Sequence, residues 1–336
     1  MTSAALSAGC ALVAFGPSLS LLFLIAYEKA QLIIVVTTAA FAYLLSTLLA
    51  SLLWLPVPAS LRSNPFLLVP LSVVCQFLFR CGFVHLYHRV EAVIQKSIRK
   101  HERHEAELAR RRQTSSAQNR TGGEAATPQV LSETSRLRLE LNDWSCCIAA
   151  GNGFGGMHAV LLYGTLLASE AGSDGTLFQE SCSFMPSLVN SAVLAFLFSI
   201  LDMFLMLLTF YGMRRRKDGT TPAGSAGVGS PQYVPEGGGG ASVCAGRFPL
   251  PRFPNSTGGG NAALLVAFFA HLAAGIATAP NLRNNGCVVA LPAVTAVVAL
   301  TVLIFVLGVS GHYLPGSQIR RLGQNDSTPM NVSHED

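Results

Sequence analysis

The sequence predicts an all-α membrane protein, a bundle of seven transmembrane helices. Half of its 336 residues are hydrophobic, only 12% are charged, and the mean hydropathy is +0.44. A soluble domain carries about twice that share of charged residues. Seven separate runs reach the roughly 20 apolar residues that a helix needs to cross a bilayer. They span residues 4–27, 32–55, 65–88, 146–169, 184–213, 262–280 and 287–310.

The first run, residues 4–27, is interpreted as a retained span. No Lys or Arg precedes it, and no small-residue cleavage site occurs before Tyr27, which argues against a secretory signal peptide. Because the number of spans is odd, the two termini lie on opposite sides of the membrane. With the N-terminus outside and the C-terminus cytosolic, every Lys and Arg except Arg62, Arg80 and Arg283 falls on the cytosolic side. The positive-inside rule therefore favours this orientation.

The charged and low-complexity segments all lie between or after the spans. Residues 89–142 form a basic cytosolic loop, and residues 311–336 form a cytosolic tail. Within the loop, Glu91–Arg112 can extend the third helix, as a solvated helix or as a patch that touches anionic lipid headgroups. The Gly-, Ser-, Thr- and Pro-rich residues 113–135 and 218–260 are predicted to be disordered.

Four sequons give a separate test of the orientation. Each falls on the side predicted to be cytosolic, so we expect none to be glycosylated. They begin at Asn119, Asn255, Asn325 and Asn331.

The fourth span carries a stripe of small residues. Gly151, Gly155 and Ala159 recur every four residues, so they share one helix face and allow a neighbouring backbone to approach closely. The stripe predicts a helix–helix interface. His158 beside it is interpreted as a hydrogen-bonded packing histidine.

Polar and ionisable residues within the spans are candidates for assembly contacts, because an isolated charge near the bilayer centre costs about 2.5–3.5 kcal/mol. Gln76 and Arg80 share one face of the third span. Arg80 either snorkels to the headgroups or tethers a neighbouring helix. Asp202 and His271 lie near the middle of the fifth and sixth spans.

The same residues argue against catalysis. An intramembrane aspartyl protease needs two facing carboxylates, whereas the predicted spans contain only Asp202. Ser310 and His271 lie at different depths, which opposes a serine hydrolase. The cysteines show no metal-ligand spacing, and neither a metal, a cofactor nor nucleic acid is expected. Cys182 and Cys287 both lie near the outer face, where a disulfide is permitted; the sequence leaves that bond open.

A seven-helix receptor remains the main alternative, since it shares the span count and the outside N-terminus. The receptor Asp-Arg-Tyr element lacks its acidic residue in Tyr87-His-Arg89, and Leu291-Pro292-Ala-Val-Thr295 stands where an Asn-Pro-x-x-Tyr element is typical. A transporter is disfavoured because no internal repeat is visible.

Several segments resemble the anterior-pharynx-defective subunit of gamma-secretase. They are Gly9-Cys10 through Ala14-Phe15-Gly16-Pro17, the second span from Ala40-Phe41 to Trp54, Gln76-Phe-Leu-Phe79-Arg80, and the Gly151, Gly155, Ala159 stripe. The resemblance implies a non-catalytic scaffold that supports intramembrane proteolysis of single-pass proteins. Its partners would be presenilin-like, nicastrin-like and presenilin-enhancer-like subunits, in the endoplasmic reticulum, Golgi, other endomembranes or plasma membrane.

The same family keeps a histidine in each of its fifth and sixth spans, lining a polar cavity. His271 matches the sixth-span position, whereas Asp202 or Leu201 stands at the fifth. From this resemblance we hypothesise that Asp202 pairs with His271. The insertions at residues 113–135 and 218–260 have no counterpart in the family pattern, which indicates a diverged member.

Overall fold

A computed structural model of the chain describes residues 4–28, 30–58, 65–117, 143–170, 182–183, 185–219, 253 and 256–309. Within these ranges the fold is all-helical, and seven spans are long and apolar enough to cross a membrane, as predicted. The predicted tail, most of residues 218–260 and residues 118–135 lie outside the described part of the chain.

Helices α1, α2 and α3 form the first three spans. They run over Ala4–Glu28, Leu32–Trp54 and Pro65–Ala117. Helix α3 passes the apolar run without a break and continues through the charged segment that follows it. The first five residues of the predicted disordered segment, 113–117, are therefore helical. Continuity with a membrane-anchored helix removes the nucleation cost that an isolated polar segment would meet.

The fourth span consists of α4 (Asp143–Ala159), a π-helical turn (Val160–Gly164) and α5 (Thr165–Glu170). The last three spans are α6 (Ser187–Gly219), α7 (Thr257–Ala277) with a 3₁₀ turn, and α8 (Cys287–Gly308). Helix α7 begins inside the segment predicted to be disordered. Ser256 caps it, accepting a hydrogen bond from the Gly259 amide at 3.4 Å.

Helices α4 and α6 form the centre of the bundle. In their most apolar stretches 61% and 72% of the residues are buried, against at most 28% in each of the other five spans. Helix α4 packs mainly against α6 and α2, and α6 also packs against α7. Because lipid tails are as apolar as the helices, the hydrophobic effect contributes little to helix association in the membrane. Close van der Waals packing must stabilise the bundle instead.

Glycine permits that close packing on two faces of α4. A Cβ at Gly151 would lie 2.9 Å from Met203 Cα, and one at Gly155 would lie 2.7 Å from the Ser199 carbonyl oxygen. Two residues along, Gly153 meets α2, where its Cβ would lie 2.9 Å from Ala39 Cβ. Helix α4 therefore packs closely against the backbones of both α6 and α2.

A second glycine contact, which the sequence does not predict, joins α6 and α7. A Cβ on Gly212 would lie 2.8 Å from the Gly260 carbonyl oxygen, and the converse distance is also 2.8 Å. Its low-complexity neighbours place Gly260 in a segment that the sequence predicts to be disordered. Its lack of a side chain instead lets the start of α7 approach the end of α6.

Helix α6 is also fastened at both ends. A disulfide joins Cys182, just before α6, to Cys287 at the start of α8, with the two Cα atoms 5.6 Å apart. At the other end Arg214 donates hydrogen bonds to both carboxylate oxygens of Glu91 on α3, at 3.0 and 2.9 Å. The bond that the sequence left open is therefore formed.

Candidate functional site

The centre of the bundle holds a buried ionic cluster built by three helices. Asp202 on α6 accepts a hydrogen bond from Arg80 Nη2 on α3 at 2.5 Å through Oδ1. Its second oxygen, Oδ2, lies 2.7 Å from Nδ1 of His158 on α4. The side chains of Arg80 and Asp202 are fully buried, and that of His158 is 12% exposed. One carboxylate thus connects three spans that are distant in sequence.

Aromatic rings hold the basic partners in place. The guanidinium of Arg80 lies over the Phe154 ring, 5.3 Å from its centroid. The imidazole of His158 stacks on Tyr43, with ring centroids 5.2 Å apart, and also contacts Phe198. A cation over a ring face gains electrostatic stabilisation that grows as water is excluded. The rings therefore stabilise the basic side chains at a site from which water is excluded.

Gln76 extends the cluster toward α2. It lies one turn before Arg80 on the same face of α3, and its Nε2 donates a hydrogen bond to the Tyr43 hydroxyl at 3.4 Å. The face of α3 that carries both residues points into the bundle, and Arg80 is an internal tether rather than a snorkelling residue. No described residue hydrogen-bonds Gln76 Oε1 or the remaining Arg80 atoms, Nε and Nη1.

The hypothesised pairing of Asp202 with His271 is wrong, because Asp202 has other partners. The carboxylate of Asp202 is bound by Arg80 and His158, while Nδ1 of His271 has no hydrogen-bond partner among the described residues. His271 is nevertheless buried on α7, near the contact in which Phe268 meets Phe77 of α3 at 5.3 Å. Both oxygens of Asp202 thus have partners on α3 and α4, and neither has a hydrogen-bond partner on the described residues of α7.

The sequence contained a signal that could have found the pair. Arg80 and Asp202 are a cation and an anion within apolar spans, and neither has an oppositely charged residue nearby in its own helix. Two uncompensated opposite charges in a membrane lower their cost by meeting. From the sequence alone, His158 is a hydrogen-bonded packing histidine without a named partner, and Arg80 has two possible roles.

The stripe residues lie where α4 meets its neighbours. Gly151 and Gly155 face α6, and the Ser199 hydroxyl donates a hydrogen bond to the Gly155 carbonyl at 2.9 Å. Ala159 belongs to a different cluster, together with apolar residues of α1 and α6. The π-helical turn begins at Val160, two residues after His158. Such turns offset the side chains beyond them relative to a regular helix.

The geometry of the cluster suits holding helices together rather than acid–base catalysis. A catalytic dyad needs a second carboxylate facing the first. Arg80 and His158 occupy the positions around Asp202, and Glu91, the carboxylate of the third span, is bound by Arg214. Within the described ranges no three His, Cys, Asp or Glu residues are grouped as metal ligands would be.

The chain is similar in sequence to known proteins. The family model described as Aph-1 protein matches residues 5–223, a range that contains Arg80, His158 and Asp202 but ends before His271. The gamma-secretase subunit APH1-like of Arabidopsis thaliana is 26% identical over 300 residues, covering 88% of this chain and 89% of the plant protein. The family match extends over well more than half of the sequence, and the chain belongs to the Aph-1 family.

Proposed function

We propose that the chain is a non-catalytic scaffold subunit of a gamma-secretase-like intramembrane aspartyl protease complex. It would bind presenilin-like, nicastrin-like and presenilin-enhancer-like subunits and support cleavage of single-pass membrane proteins. Family membership and a plant relative named as a gamma-secretase subunit support this role. The catalytic aspartates would then belong to the presenilin-like partner.

The observation that carries the proposal is the engagement of both Asp202 oxygens by basic groups from two other helices. Removing one member of a buried ion pair typically costs about 3–5 kcal/mol, so such a cluster fixes the relative positions of its helices. A scaffold needs a fixed shape on which other membrane helices can dock. Binding at the exposed faces of α1, α2, α3, α7 and α8 would then follow.

The proposed orientation has the N-terminus on the lumenal or outer side. The distribution of Lys and Arg supports it, as does the disulfide between Cys182 and Cys287. Both cysteines stand at starts of odd-numbered spans, the fifth and seventh, and hence on the side of the N-terminus. Disulfides persist in oxidising compartments, which favours the lumen or cell exterior for that side. Residence in endomembranes or the plasma membrane would follow.

Affinity purification tests the role directly. The tagged full chain is expressed in cells lacking their own Aph-1 subunit and purified in mild detergent, and co-purifying proteins are identified by mass spectrometry. We expect a presenilin-like protein and a nicastrin-like protein. Restored cleavage of a single-pass reporter, followed by the loss of its membrane-bound stub, is the second readout.

A receptor would behave differently in the same cells. It would co-purify with a heterotrimeric G protein and stimulate nucleotide exchange, without restoring cleavage of the reporter. That result, or a purified chain with no presenilin-like partner, would overturn the scaffold role.

A further inference from the structure

One continuous face of α3 remains exposed from the membrane interior to the charged extension. At 100° per residue, six of its positions fall within an arc of about 60°. All six are exposed in the structure. They are Gly82, His85, Arg89, Lys96, Lys100 and Arg103.

The middle of this face is uncompensated positive charge. Arg89, Lys96 and Lys100 form no ion pair with any residue that the structure describes. Glu91, two residues after Arg89, lies on another face and is bound by Arg214. Farther along, Glu107 stands four residues after Arg103, a spacing that places an acid beside this base on the helix surface. The basic part therefore extends from Arg89 to Lys100, about 16 Å along the helix.

Below the charges the same face is apolar and indented. No heavy atom outside the local helix lies within 4 Å of a Cβ built on Gly82. Leu78 and Leu86 on either side of it are both largely exposed. Since Arg89 lies near the end of the span that closes at Ile94, the indentation lies in the hydrocarbon region and the basic part begins at headgroup depth.

We propose that this face binds a polyanionic phospholipid of the leaflet at the C-terminal end of the α3 span. One acyl chain would lie along the indentation at Gly82, and the phosphates would contact His85, Arg89, Lys96 and Lys100. A headgroup with a single phosphate could not reach both Arg89 and Lys100 over that length. An acidic protein segment would use the charges but leave the apolar indentation within the bilayer unused, so lipid is favoured.

A binding titration tests the proposal on the intact protein. The full chain is placed in phosphatidylcholine nanodiscs and titrated with a fluorescent phosphatidylinositol bisphosphate. A parallel titration with fluorescent phosphatidylserine provides the comparison. We expect clear preference for the bisphosphate. Because each basic residue near an anionic surface contributes about a fivefold gain in affinity, Lys96→Gln with Lys100→Gln should weaken bisphosphate binding roughly 25-fold. The preference over phosphatidylserine should fall with it.

Two further variants separate the two halves of the face. Arg283→Gln removes an exposed charge at the opposite end of the bundle and should change nothing. Gly82→Leu fills the indentation and should weaken binding of both lipids while leaving their ratio unchanged. Equal losses in Arg283→Gln and the double lysine variant would overturn the proposal.

Two other results would also overturn it. Competition by soluble inositol phosphate as strong as that by the lipid would show that the indentation contributes nothing. Binding of an acidic peptide without any lipid preference would assign the face to a protein partner instead.

Discussion

Asp202 makes the buried Arg80 and the partly buried His158 compatible with the membrane interior. Its charge offsets that of Arg80, and His158 occupies the second oxygen. The arrangement depends on all three helices, because each contributes one member. A cation left alone at that position would have an uncompensated charge in a medium of low dielectric constant. The charges are therefore neutralised only when the three helices are correctly packed.

Replacing Asp202 with leucine should destabilise the protein by about 3–5 kcal/mol, since Arg80 would remain buried without its anion. The added Arg80→Met change should recover much of this loss by removing the orphaned charge. Thermal unfolding in detergent measures both effects, and partner co-purification shows whether assembly follows. A double variant as unstable as the sum of the two single variants would contradict the pairing. Intact assembly in Asp202→Leu would remove the cluster from the proposed docking function.

At the level of elements, the packing of α4 depends on glycines, which have no side chains. Glycines on two of its faces admit α6 and α2 to backbone contact, and helices this close exclude lipid between them. The regular spacing of Gly151 and Gly155 made their common face predictable from the sequence. Gly153 and the Gly212–Gly260 contact were not predictable in this way, because none of these glycines recurs at four-residue spacing along its helix and the neighbour of each is set by the packing of other spans.

Gly155→Ala should therefore lower stability by about 1–3 kcal/mol, because the new methyl group must displace the α6 backbone at Ser199. Gly82→Ala adds the same methyl group to another span where no neighbour is present. Melting temperatures of the two variants in one detergent provide the comparison. Equal shifts would mean that helix propensity, rather than the α4–α6 contact, determines the effect.

Across the whole molecule, hydropathy was sufficient to predict seven spans, because a helix that crosses a bilayer must be long and apolar regardless of its neighbours. The pairing of helices was harder to predict. Arg80 and Asp202 are 122 residues apart, and only the packed bundle brings them together. The polar residues within the spans were predictable from the sequence. The partner of Asp202 was predicted on α7 instead of α3, because nothing in the sequence specifies that α3 also borders α6.

The proposed orientation can be tested with a single added glycan. Asp174→Asn creates an Asn-Gly-Thr sequon between the fourth and fifth spans, on the side proposed to be lumenal. We expect this variant to gain a glycosidase-sensitive mobility shift in gels, while the unmodified chain shows none. Removal of the four native sequons is the control. Glycosylation at any native site, without modification at the new one, would reverse the orientation.

The distance between Arg80 and Asp202 along the chain also has a consequence for biosynthesis. At about 5–20 residues per second, the ribosome needs roughly 6 to 24 s to proceed from one to the other. Throughout that interval the newly made third helix carries a cation whose counter-ion does not yet exist. Its retention in the bilayer must then depend on its own apolar residues, on the translocon or on a chaperone, until the fifth span arrives.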